Sequence, residues 1–271
     1  MTLIPEEYHN QIKALPDDIS ELVKITQSLL VHIFWAERYG LKLEDARQSE
    51  VNLRKVSEKL PRLFELDSAP LTTPRLLERR LVCNCRDIST LFVSILRLKG
   101  IPARARCGFG VYFLPEHYED HWVVEYWNTS QKRWVMLDAQ LDDIQKETLK
   151  IAFNTLDMPA GQFITGGQAW QLVRRGQANP DDFGIFDYHG LEFIRGNVIR
   201  DLLSLLKTET LPWDCWGMLN QSASLTQTDL EAYNALSDQA AGLCNHHEVN
   251  LDSLLAFYKA NPILHIPAEW L

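Results

Sequence analysis

The sequence predicts an α+β fold, in which helices lead into a small antiparallel sheet and further helices follow it. Three observations carry this. Residues 85–98 place apolar side chains at helical spacing, residues 104–113 alternate in polarity, and two more apolar runs flank the polar turn Asn128-Thr-Ser-Gln-Lys132. With 271 residues, 46% hydrophobic and 23% charged, the chain can bury a full core without disulfide or metal staples. One domain is expected, with a helical lead-in over 1–78, a core over 79–145 and a helical and loop-rich C-terminal extension over 146–271.

In chain order, Asp17 and Asp18 are capping acids for a helix that carries Ile19, Leu22, Val23, Leu29, Leu30 and Ile33 and closes at Gly40. A second helix runs through Val51, Leu53, Val56, Leu60 and Leu63, with Pro61 expected to kink or break it. Residues 68–75, SAPLTTPR, form a connector. A third helix begins at Cys85 or within a residue of it. Its buried stripe is Ile88, Leu91, Phe92, Ile95 and Leu96, Gly100 ends it and Pro102 prevents resumption. In the next strand Ala105, Cys107, Phe109, Val111 and Phe113 share a face, with Arg104, Arg106 and Tyr112 on the other. HWVVEYW (121–127) and RWVMLDAQ (133–140) then form a hairpin. Beyond residue 146 come a short helix in GGQAWQLVRRG stopped by Gly176, an aromatic loop FGIFDYHGLEF and an apolar helix over 197–207. A capping box at Thr228 and Glu231 opens a last helix.

Charge and composition exclude several classes. The formal charge of −9 lacks the basic excess of a nucleic-acid surface, and no apolar run reaches the length of a membrane span. The first residues, MTLIPEEYHNQIKALPDD, lack the layout of a signal peptide, and five cysteines at irregular spacing make a poor disulfide framework. A reduced, cytoplasmic protein is expected, with no nucleic-acid or membrane partner.

Cys85 stands where a helix dipole favours an anion, and a thiol there is lowered from roughly 8.5 into the range ~3.5–7.5, which makes it a nucleophile at neutral pH. His121, at the start of a strand and near a sheet edge, is the candidate base. Asp138, at the end of the partner strand, falls near the same end of the hairpin and is the candidate orienting acid. Asp142 and Asp143 are rivals that read better as a helix N-cap, and Asp87 reads as a dipole-favoured acid, with a role in shaping the site as the alternative. Cys83 suits a strand position, with a resolving thiol as the alternative, and Cys107 suits the core. Zinc at Cys83, Cys85, Cys107, His117 and His121 is disfavoured by the one-residue cysteine spacing, and DAQLDD lacks the glycine and distal glutamate of a calcium loop. No cofactor and no metal are expected. Arg104 and Arg106 suit an ion pair better than a substrate anion. Phe186, Tyr188, Trp213 and Trp216 suit packing, with a peptide-binding wall as the sharper alternative.

The order Cys85-Arg-Asp, helix, Gly100-Ile-Pro-Ala-Arg104, strand, His121-Trp-Val-x-Glu125-Tyr, Trp134-x-x-Leu-Asp138 resembles the transglutaminase-like superfamily, in a bacterial-type form. The resemblance covers residues 79 to about 142. It implies a papain-like core in which the cysteine heads a helix packed on an antiparallel sheet. It further implies Cys85 as nucleophile, His121 as general base and later acid, and Asp138 as orienting group. Tentative oxyanion and substrate-binding residues are Asn84, Arg79 and Trp122. Two departures stand out: Asn84 and Cys83 occupy the place where the family usually has Gly before the cysteine, and Ala139-Gln140 follows the aspartate where Pro is common. The expected function is thiol-dependent amide hydrolysis or acyl transfer on a peptide, protein or small amide. The alternative is a non-catalytic protein- or peptide-binding module on the same scaffold.

Overall fold

The computed structural model describes residues 2–208, 210–220, 225–245 and 249–270. The chain divides into two compact units, one comprising Met1–Ala105 with Trp122–Pro159 and the other Arg106–His121 with Ala160–Leu271.

The first unit opens with α1 (His9–Lys13) and α2 (Ile19–Leu29). Asp18 caps α2 as expected, its Oδ1 accepting from Glu21 N at 3.0 Å. The helix does not run on to Gly40. It stops at Leu29, and Leu30–His32 become strand β1, parallel to β2 (Leu81–Cys83) with Val31 opposite Val82. The sequence Leu-Leu-Val-His-Ile-Phe is apolar but for His32, and a short run of that kind serves a fully buried parallel strand as well as a helix. Here burial decides, because Leu30, Val31 and His32 are all inside. Gly40, at φ 84°, still ends the following 3-10 turn.

After the short α3 (Asp45–Gln48), helix α4 spans Val56–Leu66. It begins five residues later than Val51, because the Glu58 carboxylate accepts from both Arg54 N and Lys55 N, at 2.7 and 2.9 Å, and fixes the start there. Pro61 lies within the helix and does not break it. Helix α5 (Cys85–Leu98) follows β2 with a single intervening residue, and Gly100, at φ 81°, terminates it. The strands β3 (Ala103–Gly110), β4 (Tyr118–Asn128) and β5 (Arg133–Leu137) come next, then α6 (Asp143–Thr148). The expected hairpin is present, with β4 and β5 antiparallel and Val124 opposite Leu137. Strand β4 starts three residues before His121, and β3 ends three residues short of Phe113.

The second unit takes the end of β3 and the start of β4. Strand β6 (Phe163–Thr165) runs antiparallel to β3, so close at Gly108 that a Cβ there would sit 2.1 Å from the Ile164 carbonyl oxygen. Only glycine fits. The expected aromatic loop is instead a hairpin, β7 (Phe183–Ile185) and β8 (Tyr188–His189), with β7 parallel to Tyr118 and Glu119 of β4. Hydrogen-bonded neighbours run β6-β3-β4-β7-β8, with β5 on β4 outside that path.

Among the described residues, this unit also holds the α-helices α7 (Gly166–Arg174), α8 (Leu191–Leu205), α9 (Gln227–Cys244) and α10 (Leu251–Ala260). Helix α8 begins six residues before the expected 197. The cap of α9 is Thr226 with Asp229 rather than Thr228 with Glu231, the same box shifted by two residues. Asp201 of α8 receives Arg106 in a bidentate pair at 2.9 and 2.8 Å and also accepts from Cys107 N, which fixes β3 to α8.

Candidate active site

Cys85 is the first residue of α5. Asn84 is its N-cap, with Oδ1 accepting from Asp87 N at 3.0 Å while Asn84 N donates to Asp87 Oδ2 at 3.1 Å. This reciprocal box fixes the helix head directly behind the thiol, and a cap of this kind contributes about 1 kcal/mol. With Oδ1 held in the cap, the buried Nδ2 of Asn84 has no hydrogen-bond partner among the described residues. Buried donors of this sort are rare. Cys85 is half-buried, whereas Cys83, Cys107 and Cys244 are buried and Cys215 is exposed. Cys83 differs in chemistry as well as position, since burial pushes its thiol well above the ordinary range and the nearby Asp87 carboxylate adds to that. A thiolate is therefore disfavoured at Cys83.

Asp87 does more than complement a dipole. Its Oδ1 lies 3.0 Å from Lys59 Nζ of α4 and 3.0 Å from Arg86 NH1, and all three side chains are about 1% exposed. Lysine is almost never buried this deeply, and burial lowers the Lys59 ammonium to about 8 despite the carboxylate beside it. Nothing in the local pattern of α4 marks Lys59, because its partner is 28 residues away in sequence.

His121 is the fourth residue of β4 and only 2% exposed, deeper than the edge position expected from sequence. The Phe113 ring stands edge-on to its imidazole at a centroid distance of 4.8 Å, and the Tyr112 ring lies 6.1 Å away. Both rings fold back over Gly110, where a Cβ would meet them at 2.8 and 3.1 Å. The preceding Asp120 accepts from Asn197 Nδ2 at 2.7 Å, and burial raises its carboxyl.

Asp138 is the first residue past β5 and 1% exposed. Its N donates to Thr155 O at 2.9 Å, and its Oδ1 accepts from Gln140 N at 2.9 Å. Of its rivals, Asp142 caps α6 by accepting from Gln145 N and also accepts from Tyr39 Oη at 2.5 Å, and Asp143 follows it at the start of that helix.

Cys85 and Asp138 belong to the first unit. His121 is the last residue of a segment of the second, and the next residue, Trp122, belongs to the first. Ser89, four residues after Cys85 and so on the same helical face, donates from Oγ to the Trp122 carbonyl at 3.1 Å. That contact holds the Ser89 face of α5 against β4 at Trp122, within the first unit. The sequence offered no signal for it.

The remaining candidates separate. Arg79 is exposed on a 3-10 turn, its NH1 donating to Leu66 O at 3.0 Å, so its guanidinium serves the C-terminal end of α4. Trp122 is 1% exposed and, by strand alternation, on the face opposite His121. It packs inside and offers no surface to a substrate. Arg104 pairs with Glu125 at 2.5 Å and stacks 4.1 Å over Trp134, and Arg106 pairs with Asp201, so both arginines take carboxylate partners within the protein. Phe186, Tyr188 and Trp213 are exposed, and Trp216 is buried.

Comparison with protein families matches residues 46–139 to the transglutaminase-like superfamily. The match takes in α4, β2, α5 and β3 to β5, and it includes Cys85, His121 and Asp138. This segment, about a third of the chain, is a transglutaminase-like α+β core. No curated protein and no solved structure gave a significant match.

Proposed function

We propose that the protein is a thiol enzyme that forms an acyl-enzyme at Cys85 from an amide, with His121 as base and acid and Asp138 as the group that orients it. The observation that carries this reading is the position of Cys85 at the capped head of α5, on the face where Ser89 holds the Trp122 carbonyl. Extending the β4–β5 register by one residue sets Asp138 opposite Val123, which shares a strand face with His121 two residues earlier. An acid there suits the imidazole whose tautomer it must hold.

In the proposed reaction the Cys85 thiol gives its proton to His121, and the sulfur attacks the amide carbonyl carbon. The oxyanion is met by backbone N–H at the helix head and by the unpartnered Asn84 Nδ2, a donor of a kind worth about 100–1,000-fold in rate. The imidazolium returns its proton to the leaving nitrogen, the C–N bond breaks and a thioester remains. Water, deprotonated by His121, then releases the acid and restores the thiol. A primary amine in place of water gives a new amide, and hydrolysis is the simpler outcome because it needs no second binding site.

The test is intact-protein mass spectrometry after exposure to an amide-directed thiol probe, with and without an added primary amine. One adduct that maps to Cys85 is expected. An adduct at Cys215 alone, or none, would overturn the reading in favour of a binding module.

A further inference from the structure

Buried in the first unit is an ion pair that the proposed reaction does not use. Lys59 Nζ donates to the Arg54 carbonyl at 3.2 Å and lies 3.0 Å from Asp87 Oδ1. Asp87 Oδ2 in turn accepts from Asn84 N, the residue before Cys85. The capping box therefore places a full negative charge in the first turn of α5, two residues past the thiol. A carboxylate suits the helix dipole there but opposes a thiolate at the helix head.

We infer that Lys59 is a positioning residue for Cys85 that cancels the charge of Asp87, so that the acid closing the helix cap does not suppress the thiolate. This rests on Cys85 being the nucleophile. Several features favour the inference over a purely structural pair. A cap needs only an acceptor at Asp87, which an Asn side chain also supplies. Burying an ammonium is costly, and replacing a buried pair by apolar side chains is often neutral or stabilising. The charge of Lys59 also acts in the required direction on its surroundings, since it lowers the Cys83 thiol that Asp87 and Glu50 raise.

The charged groups around Lys59 are Glu58 on its own helix and Arg86 and Asp87 on α5, and the neutral Cys83 thiol faces it from β2. Glu50, on the 3-10 turn Ser49–Asn52, is engaged by Arg47 and Arg62 at 2.7 and 2.9 Å. The Lys59 ammonium, lowered to about 8, is largely charged at neutral pH and lost above it, so the cancellation operates where the thiol must work.

The experiment follows the rate of Cys85 alkylation by iodoacetamide against pH, read by peptide mapping on the full chain. In Lys59→Met the midpoint is expected to rise by roughly one pH unit, about tenfold slower alkylation below it, while Lys59→Arg stays near the parent. The double variant Lys59→Met/Asp87→Asn is expected to return toward the parent, because the opposing charge is gone. A structural pair would lower the melting temperature of Lys59→Met without moving the midpoint, and Asp87→Asn would rescue nothing. Either result overturns the inference. If Lys59→Met does not fold, Asp87→Asn alone decides, since unopposed Lys59 must lower the midpoint and an unchanged or raised one is against it. An unreactive Cys85 in the parent defeats the catalytic reading itself, which keeps the two failures apart.

Discussion

The two units each contain a buried Asp paired with a long cation, and the pairs are built differently. In the second unit Arg106 and Asp201 meet through two parallel hydrogen bonds, Cys107 N adds a third to the same carboxylate, and Arg106 reaches the Cys244 carbonyl at 3.2 Å. That network is directional, and it joins β3 to α8 and the end of α9. In the first unit Lys59 reaches Asp87 as a point charge, shares one oxygen with Arg86, and stands behind the head of a helix that begins with a cysteine. Bidentate geometry serves register, whereas a compact ammonium serves potential. The contrast teaches that burial of an ion pair does not itself say what the pair is for. The group next to it does.

The largest effects are expected at Cys85, at the head of the helix behind which the first-unit pair stands, and at the two residues proposed to act with it. Cys85→Ala should abolish turnover and probe labelling while the far-ultraviolet circular dichroism stays unchanged, and labelling that survives would relocate the nucleophile. His121→Ala should come close to that loss. Asp138→Asn should lower turnover substantially but by less, because a thiol nucleophile depends less on the imidazole's tautomer than a serine does. Asp143→Asn should do little. Asp142→Asn should cost stability, through the α6 cap and the Tyr39 hydrogen bond, more than rate. Turnover of all five on one substrate checks the order, and a crippled Asp143→Asn beside an intact Asp138→Asn would reassign the third residue.

Much of this region is legible in sequence because its signals are local. The Cys85 helix has a stripe of apolar residues, a stop at Gly100-Ile-Pro102 and a resemblance in the right order, and the β4–β5 hairpin has two apolar runs around one polar turn. What stayed hidden depends on distant partners. Leu30–His32 became a strand only because Leu81–Cys83 lies beside it, and the preceding helical period gave no warning. Lys59 carries no local mark, because its partner Asp87 lies 28 residues further along the chain. His121 reads as the start of a strand because Glu119 and Asp120 before it are charged, and Tyr118 and Glu119 pair with a β7 that reads as loop.

Breaking the second-unit pair sharpens the comparison from the other side. Arg106→Ala leaves the fully buried Asp201 without its bidentate partner, and removal of one member of such a pair costs about 3–5 kcal/mol. Urea unfolding should record that loss, while the iodoacetamide midpoint of Cys85 in the folded variant should stay at the parent value. A midpoint that moves with Arg106→Ala would mean that the two pairs are not separate in function.

The smallest expected effect is a pH dependence of stability that belongs to Lys59 alone. Its ammonium falls to about 8 in the folded protein, from about 10.4 in an unfolded chain. Between those values the unfolded state binds more protons, so this residue makes stability rise with pH across the window. At about 1.4 kcal/mol per unit the gain is at most on the order of 3 kcal/mol, complete only above the unfolded value. Other groups oppose it in the same range: burial raises the Cys83 thiol and the Tyr39 phenol, and each costs stability as pH climbs past its unfolded value. The parent's own profile therefore mixes signs. The difference between the parent and Lys59→Met isolates the lysine, and urea midpoints at pH 7 and pH 10 should show the parent gaining on the variant. Equal changes in both proteins would mean that Lys59 keeps its proton throughout, and that the carboxylate of Asp87 compensates its burial in full.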